Sequence, residues 1–201
     1  LTGKPPFQGA SGPTLPAPGL VNAANLLTVL RLALVPVFVA CLLADGPGWR
    51  VAAFAAFCVA SVTDLLDGRI ARSRGLVTDF GKIADPIADK ALTGAALVTL
   101  SALGQLPWWV TVVILVREIA VTGLRFWVIR RGVIAASRGG KLKTLLQIVA
   151  IALYVLPGPL AIVRQLVMAA AVIVTVITGV DYGVRAVRLR RRPLPPGGEA
   201  G

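Results

Sequence analysis

Residues 64–72 read Asp-Leu-Leu-Asp-Gly-Arg-Ile-Ala-Arg, and residues 81–89 read Gly-Lys-Ile-Ala-Asp-Pro-Ile-Ala-Asp. Asp64 and Asp67 are spaced i, i+3, and Asp85 and Asp89 are spaced i, i+4, so on helices each pair shares one face. An apolar run leads into the first pair and another leaves the second. The spacing therefore predicts two neighbouring antiparallel helices joined by a short connection holding Gly75 and Gly81, with four carboxylates converging at the joint. The whole chain has nine acidic residues, and five of them, Asp79 included, lie between positions 64 and 89, so the clustering is not a by-product of an acidic composition.

Four carboxylates brought together near a low-dielectric boundary repel one another, and either protons or cations must relieve them. Hard divalent cations take oxygen ligands, and Mg²⁺ commonly combines carboxylates with substrate phosphates. The residues between the pairs fit the same chemistry. Gly68 lets a ligand approach the helix backbone, Ala71 keeps that face shallow, and Arg72 offers a planar fork suited to phosphate oxygens. Together they read as a metal–diphosphate site beside a pocket for a flat group. The plainer alternative is that these acids cap helix ends or pair with Arg69, Arg72 and Lys90, which suits one pair better than two in matching register.

Working outward, the chain of 201 residues is 56% hydrophobic and 15% charged, against about 25% charged in an ordinary soluble domain. Six apolar spans follow one another, at about Leu26–Leu43, Trp49–Arg72, Asp85–Leu103, Pro107–Arg130, Lys141–Leu156 and Leu160–Val187. The fold expected is an all-α polytopic membrane protein of six transmembrane helices, since within lipid the backbone must satisfy its own hydrogen bonds. Residues 1–20 read as a disordered Pro/Gly-rich arm, 21–188 as the membrane domain, and 189–201 as a basic and then Pro/Gly-rich tail.

Three connections are short and nearly uncharged: Asp45-Gly46-Pro47-Gly48, Gly104-Gln105-Leu106-Pro107 and Pro157-Gly158-Pro159. The others are basic, with Arg69, Arg72, Arg74 and Lys82 in one, Arg130, Arg131, Arg138, Lys141 and Lys143 in the next, and Arg185, Arg188, Arg190, Arg191 and Arg192 after the last span. Positive-inside bias puts the basic connections, both termini and the acid cluster on the cytoplasmic side. The net charge of +12 belongs to those loops and to contact with anionic membrane phospholipids, and no nucleic-acid partner is expected. The chain has no histidine, so acid–base and metal chemistry must rest on carboxylates, and Cys41 and Cys58 read as small apolar residues within spans.

The pattern Asp64-x2-Asp67-Gly68-x2-Ala71-Arg72-x8-Gly81-x3-Asp85-x3-Asp89 resembles the signature of the CDP-alcohol phosphatidyltransferase family at all eight of its fixed positions. The resemblance implies a six-helix domain, commonly a homodimer, with a metal site at the cytoplasmic side between the second and third helices. Asp64, Asp67, Asp85 and Asp89 would hold two Mg²⁺ or Mn²⁺ ions, with Asp89 also the general base. Gly68, Ala71, Arg72 and Gly81 would contact the CDP moiety of CDP-diacylglycerol, joined by Asn25 and Thr28, which together with Arg31 share one face at the start of the first span. The other reading of that trio is a helix cap with a snorkelling arginine.

The acceptor alcohol is a separate question. Arg117 and Arg125 lie about two turns apart on nearly the same face of the fourth span, and Lys141 opens the fifth. Such a set suits an acceptor bearing phosphate; membrane anchoring explains Lys143 and Arg130 well, but explains Arg117, deep in its span, poorly. Arg117 and Glu118 are adjacent and point to different faces, with Arg117 able to reach charges on another helix. The stretches 117–125 and 140–144 further resemble the branch of the family that uses glycerol 3-phosphate, in a bacterial inner membrane. An inositol phosphate is the alternative acceptor, with a lipid acceptor after it. From other classes, a cation transporter would need acids near the membrane midplane, and a lipid-binding scaffold would have no use for the aspartates.

Overall fold

The apolar runs form six α-helices in a computed structural model of the chain, which describes residues 23–74, 79–128 and 138–191 and, within them, the side chains of 27–63, 90–124, 127 and 139–190. The helices are α1 (Ala23–Leu43), α2 (Pro47–Arg74), α3 (Asp79–Ala102), α4 (Trp108–Val128), α5 (Arg138–Val155) and α6 (Ala161–Arg191). The arm at 1–20 lies outside the described residues, as do most residues of the expected tail.

Helix limits differ from the sequence expectation where polar residues continue a helix past its apolar stretch. Asp85-Pro86 has the composition of a cap and a first-turn proline, yet α3 begins at Asp79, placing Asp85 and Asp89 inside the helix. An acid at that first position suits the positive end of the helix dipole. In the same way α6 runs on to Arg191. Basic residues favour a helix C-terminus, and the Arg190 guanidinium lies 3.7 Å from the centroid of the Trp127 ring, tying the end of α6 to the end of α4.

The tight turns fold as their glycines require. Gly104, with φ 68°, ends α3: its N–H donates to Ser101 O and the next N–H, of Gln105, donates to Leu100 O, both at 3.0 Å. That is the left-handed glycine cap that satisfies the last carbonyls of a helix. Gly158, with φ 138°, makes the corresponding turn between α5 and α6. Arg50 at the start of α2 donates to Gln105 Oε1 at 2.7 Å, which brings the α1–α2 and α3–α4 turns to one end of the bundle. A cavity of about 640 Å³ at that end is lined by Gln105, Trp108, Tyr154, Gln165 and Met168.

Helix α1 packs on α2 and α3, α4 on α6, and α5 on α2, α3 and α6. The core holds Phe38, Phe57, Leu97, Leu100, Ile114 and Ile151, all essentially inaccessible, and the Phe38 and Phe57 rings sit 5.7 Å apart. Ala53, Ala60, Ala96, Ala150, Ala171 and Ala186 are fully buried too. Small residues at crossings let backbones approach closely, as helix pairs in lipid need because hydrophobic burial does not drive them together. The exterior is apolar as well: Val37, Val59, Val116, Leu145, Ile162 and Ile177 are among many large side chains at least half exposed. A surface of this kind is suited to lipid rather than water. The 31 residues of α6 rise about 46 Å, longer than a bilayer's hydrocarbon core. Among the described residues α6 is the helix long and apolar enough to cross a membrane; the apolar stretches Leu27–Leu43, Pro47–Thr63 and Lys90–Ala102 are shorter.

Candidate active site

The two acid pairs fall on α2 and α3, which touch one another. Asp64 and Asp67 occupy the C-terminal half of α2, with Gly68, Ala71 and Arg72 following, and Gly81, Asp85 and Asp89 occupy the first half of α3. The backbone thus carries all of them on two contacting helices on either side of one connection. Their side chains lie outside the described residues, as do those of Asn25 on α1 and Arg125 on α4. The donor set itself fits a hard divalent cation: four carboxylates in a chain without histidine, with Cys41 buried in the apolar core.

From α1 the structure describes Thr28 and Arg31. Both are buried, Thr28 at 2% exposure and Arg31 at 0%, on the face that also carries Phe38 and Leu42. Arg31 therefore does not snorkel to the surface. Helix α1 packs against both α2 and α3, so its one buried cation sits in the layer that contacts the acid-bearing helices.

Residue Lys90, next in sequence to Asp89, leads to the second part of the site. Its ammonium group donates to Glu118 Oε2 at 3.1 Å, joining α3 to α4. Glu118 Oε1 accepts from Arg117 Nη1 at 3.0 Å and from Lys143 Nζ of α5. One carboxylate thus gathers three cations from three helices. Lys143 and Glu118 are well buried, with side chains 7% and 17% exposed. Arg117 also reaches α6, donating through Nε to Thr175 O at 3.2 Å and through Nη2 to Thr178 Oγ1 at 3.1 Å. Gln147 of α5 donates to Thr175 Oγ1 at 3.1 Å, so α4, α5 and α6 meet at one polar junction.

This geometry revises three details of the sequence expectation. Arg117 and Glu118 start on different faces, yet their long side chains fold together and pair. Arg117 does reach across to another helix, and there it meets a carbonyl and a hydroxyl of α6. Lys143 is not a surface anchor. It lies on the buried stripe of α5 with Gln147, Ala150, Ile151 and Tyr154, whereas Lys141 faces outward. Sequence reasoning misses Lys143 and Glu118 as site residues. The signals were present: an acid alone in an apolar span, and a lysine at i−4 from a glutamine within an apolar run.

Comparison with known proteins bears on both parts of the site. Residues 21–177 match the family model for CDP-alcohol phosphatidyltransferase. A Mycobacterium tuberculosis protein named as a probable phosphatidylglycerophosphate synthase is 58% identical over 174 residues, covering 84% of this chain and 83% of that protein. The CDP-diacylglycerol–glycerol-3-phosphate 3-phosphatidyltransferase of Bacillus subtilis is 39% identical over 181 residues, covering 81% and 94%. The Escherichia coli protein of the same name is 39% identical over 137 residues, covering 65% and 75%. The matched region takes in α1 to α5 and most of α6, and with it both acid pairs and the Glu118 junction. An acid-bearing helix pair, a helical bundle with an apolar exterior and a match over most of its length make this chain a membrane-associated enzyme of the CDP-alcohol phosphatidyltransferase family.

Proposed function

We propose that the enzyme transfers the phosphatidyl group of CDP-diacylglycerol to glycerol 3-phosphate, giving phosphatidylglycerophosphate and CMP. The observation that carries the choice of acceptor is the Glu118 junction. Three cations share one carboxylate in a largely buried setting, which leaves two positive charges over among the described residues. Positive charge held away from water attracts an anion strongly, and an acceptor that already bears a phosphate supplies one. The names of the relatives agree with that acceptor.

In this reading Asp64, Asp67, Asp85 and Asp89 hold two Mg²⁺ or Mn²⁺ ions, which when bound neutralise the diphosphate. Gly68, Ala71, Arg72 and Gly81, with Asn25 and Thr28 of α1, receive the CDP moiety. Arg117, Arg125 and Lys141, to which Lys143 is now added, draw the acceptor phosphate to the same end of the bundle. Asp89 takes the proton of the acceptor hydroxyl, whose oxygen attacks the phosphorus nearer the diacylglycerol as CMP departs. Six spans, a cytoplasmic-facing site in a bacterial inner membrane and a homodimer complete the proposal, on the strength of the charge pattern and the family resemblance.

The test is CMP release by purified protein with CDP-diacylglycerol and Mg²⁺, offering glycerol 3-phosphate, inositol phosphate, inositol and phosphatidylglycerol in turn. Release with glycerol 3-phosphate alone is expected, and release only with inositol phosphate would transfer the same anion-binding argument to the other acceptor. Asp89→Asn is expected to abolish turnover while the protein stays folded; full activity in that variant would remove Asp89 as the base.

A further inference from the structure

We infer that Glu118 and Gly179 are positioning residues for the acceptor, holding Arg117 and Lys143 where they meet its phosphate. The inference rests on the acceptor reading above and adds two residues that touch no substrate. Gly179 is the first observation. A Cβ at that position would stand 2.9 Å from Arg117 Cγ and 3.3 Å from Arg117 Nε. Cγ is near the root of the side chain, and the guanidinium beyond it is fastened to Thr175 O, Thr178 Oγ1 and Glu118. Something must shift to admit a methyl group there, and those bonds hold Arg117 against moving aside. The bare backbone of α6 at Gly179 is the bed in which the arginine lies.

Glu118 is the second observation, independent of the first. Lys90, Arg117 and Lys143 come from three helices and would repel one another at this range without it. Its two oxygens divide the cations, Lys90 on Oε2 and the other two on Oε1. Its charge thus sets the separation of Arg117 and Lys143. Because three cations outnumber the one carboxylate, Glu118 orders the group without cancelling it. The same contact fixes α3 at Lys90, the residue next to Asp89.

Steady-state kinetics in both substrates separate positioning from general loss of structure. Gly179→Ala changes no charge, and in a helix the replacement by itself favours folding. It is expected to raise the KM for glycerol 3-phosphate about tenfold, as misplacement of a binding group does, with the KM for CDP-diacylglycerol unchanged. Glu118→Gln keeps the shape, removes the charge and is expected to act in the same direction. Gly183→Ala is the control, one turn further along α6, where an added Cβ meets nothing within 4 Å; it should leave both constants unchanged. A fall in kcat alone, an equal rise in both KM values, or wild-type kinetics in Gly179→Ala would overturn the inference. If Glu118→Gln fails to accumulate as folded protein, Gly179→Ala decides by the same criterion. Wild-type protein that releases no CMP with glycerol 3-phosphate would overturn the acceptor reading itself, and it would do so before any variant is made.

Discussion

Lys141 and Lys143 stand two residues apart at the start of α5 and are physically unlike. Lys141 faces out, whereas Lys143 is buried against Glu118. A cation held away from water acts through a lower effective dielectric and loses less strength to salt. Replacing each by Met should therefore separate them. Lys143→Met is expected to raise the KM for glycerol 3-phosphate by about tenfold or more, and Lys141→Met by only about twofold to threefold, less still in high salt. Titrating glycerol 3-phosphate at two ionic strengths checks both, and equal effects would mean that the burial of Lys143 carries no functional weight. At this scale the sequence was legible where residues close in the chain act together. The aspartate pairs declare themselves by helical spacing. Glu118 is visible as the lone acid of its span, but its partners Lys90 and Lys143 lie 28 and 25 residues away, and no local spacing announces a pairing across three helices.

Helices show the reverse balance, with their existence plain in the sequence and their limits not. Apolar character stops where the hydrocarbon would stop, whereas backbone hydrogen bonding continues through residues such as Asp79, Arg138 and Arg188. Beyond the α2–α3 pair that the acids mark, how the helices pair was also hidden, because the apolar runs look alike from every side. The seam between α3 and α4 is an example. Ser101 and Thr111 share a buried hydrogen bond at 2.7 Å, and Thr111 Oγ1 also donates to Leu97 O at 3.2 Å. Hydrogen bonds between helices in a membrane contribute on the order of 1 kcal/mol. Thr111→Val keeps the shape, strips the hydroxyl and leaves Ser101 without its partner. It is expected to lower the thermal midpoint in detergent, corresponding to about 1 kcal/mol, with both KM values unchanged because the seam lies toward the end away from the acid pairs. A KM shift without a stability loss would show that this seam communicates with the site.

For the molecule as a whole, two arginines break the charge pattern that sets its orientation. Arg50 and Arg164 lie at the end of the bundle with the short turns, opposite the basic connections. Both are engaged there: Arg50 donates to Gln105, and the Arg164 guanidinium stands 5.5 Å from the centroid of the Tyr154 ring. Arginines held in this way serve the packing of that end of the bundle and need not be counted against the positive-inside bias, which rests on charges near helix ends in short loops. Six crossings would then set Asp45 and Leu103 outside and Arg188 inside, all three of them exposed on the protein. Single cysteines at these positions, in a background with Cys41 and Cys58 replaced by Ala, test the arrangement with a membrane-impermeant maleimide. Labelling of Asp45→Cys and Leu103→Cys in intact cells is expected, and labelling of Arg188→Cys only after permeabilisation. Early labelling at position 188 would invert the molecule. It would set the acid pairs at the outer face of the membrane, and so would count against the proposed cytoplasmic-facing site as well as the topology.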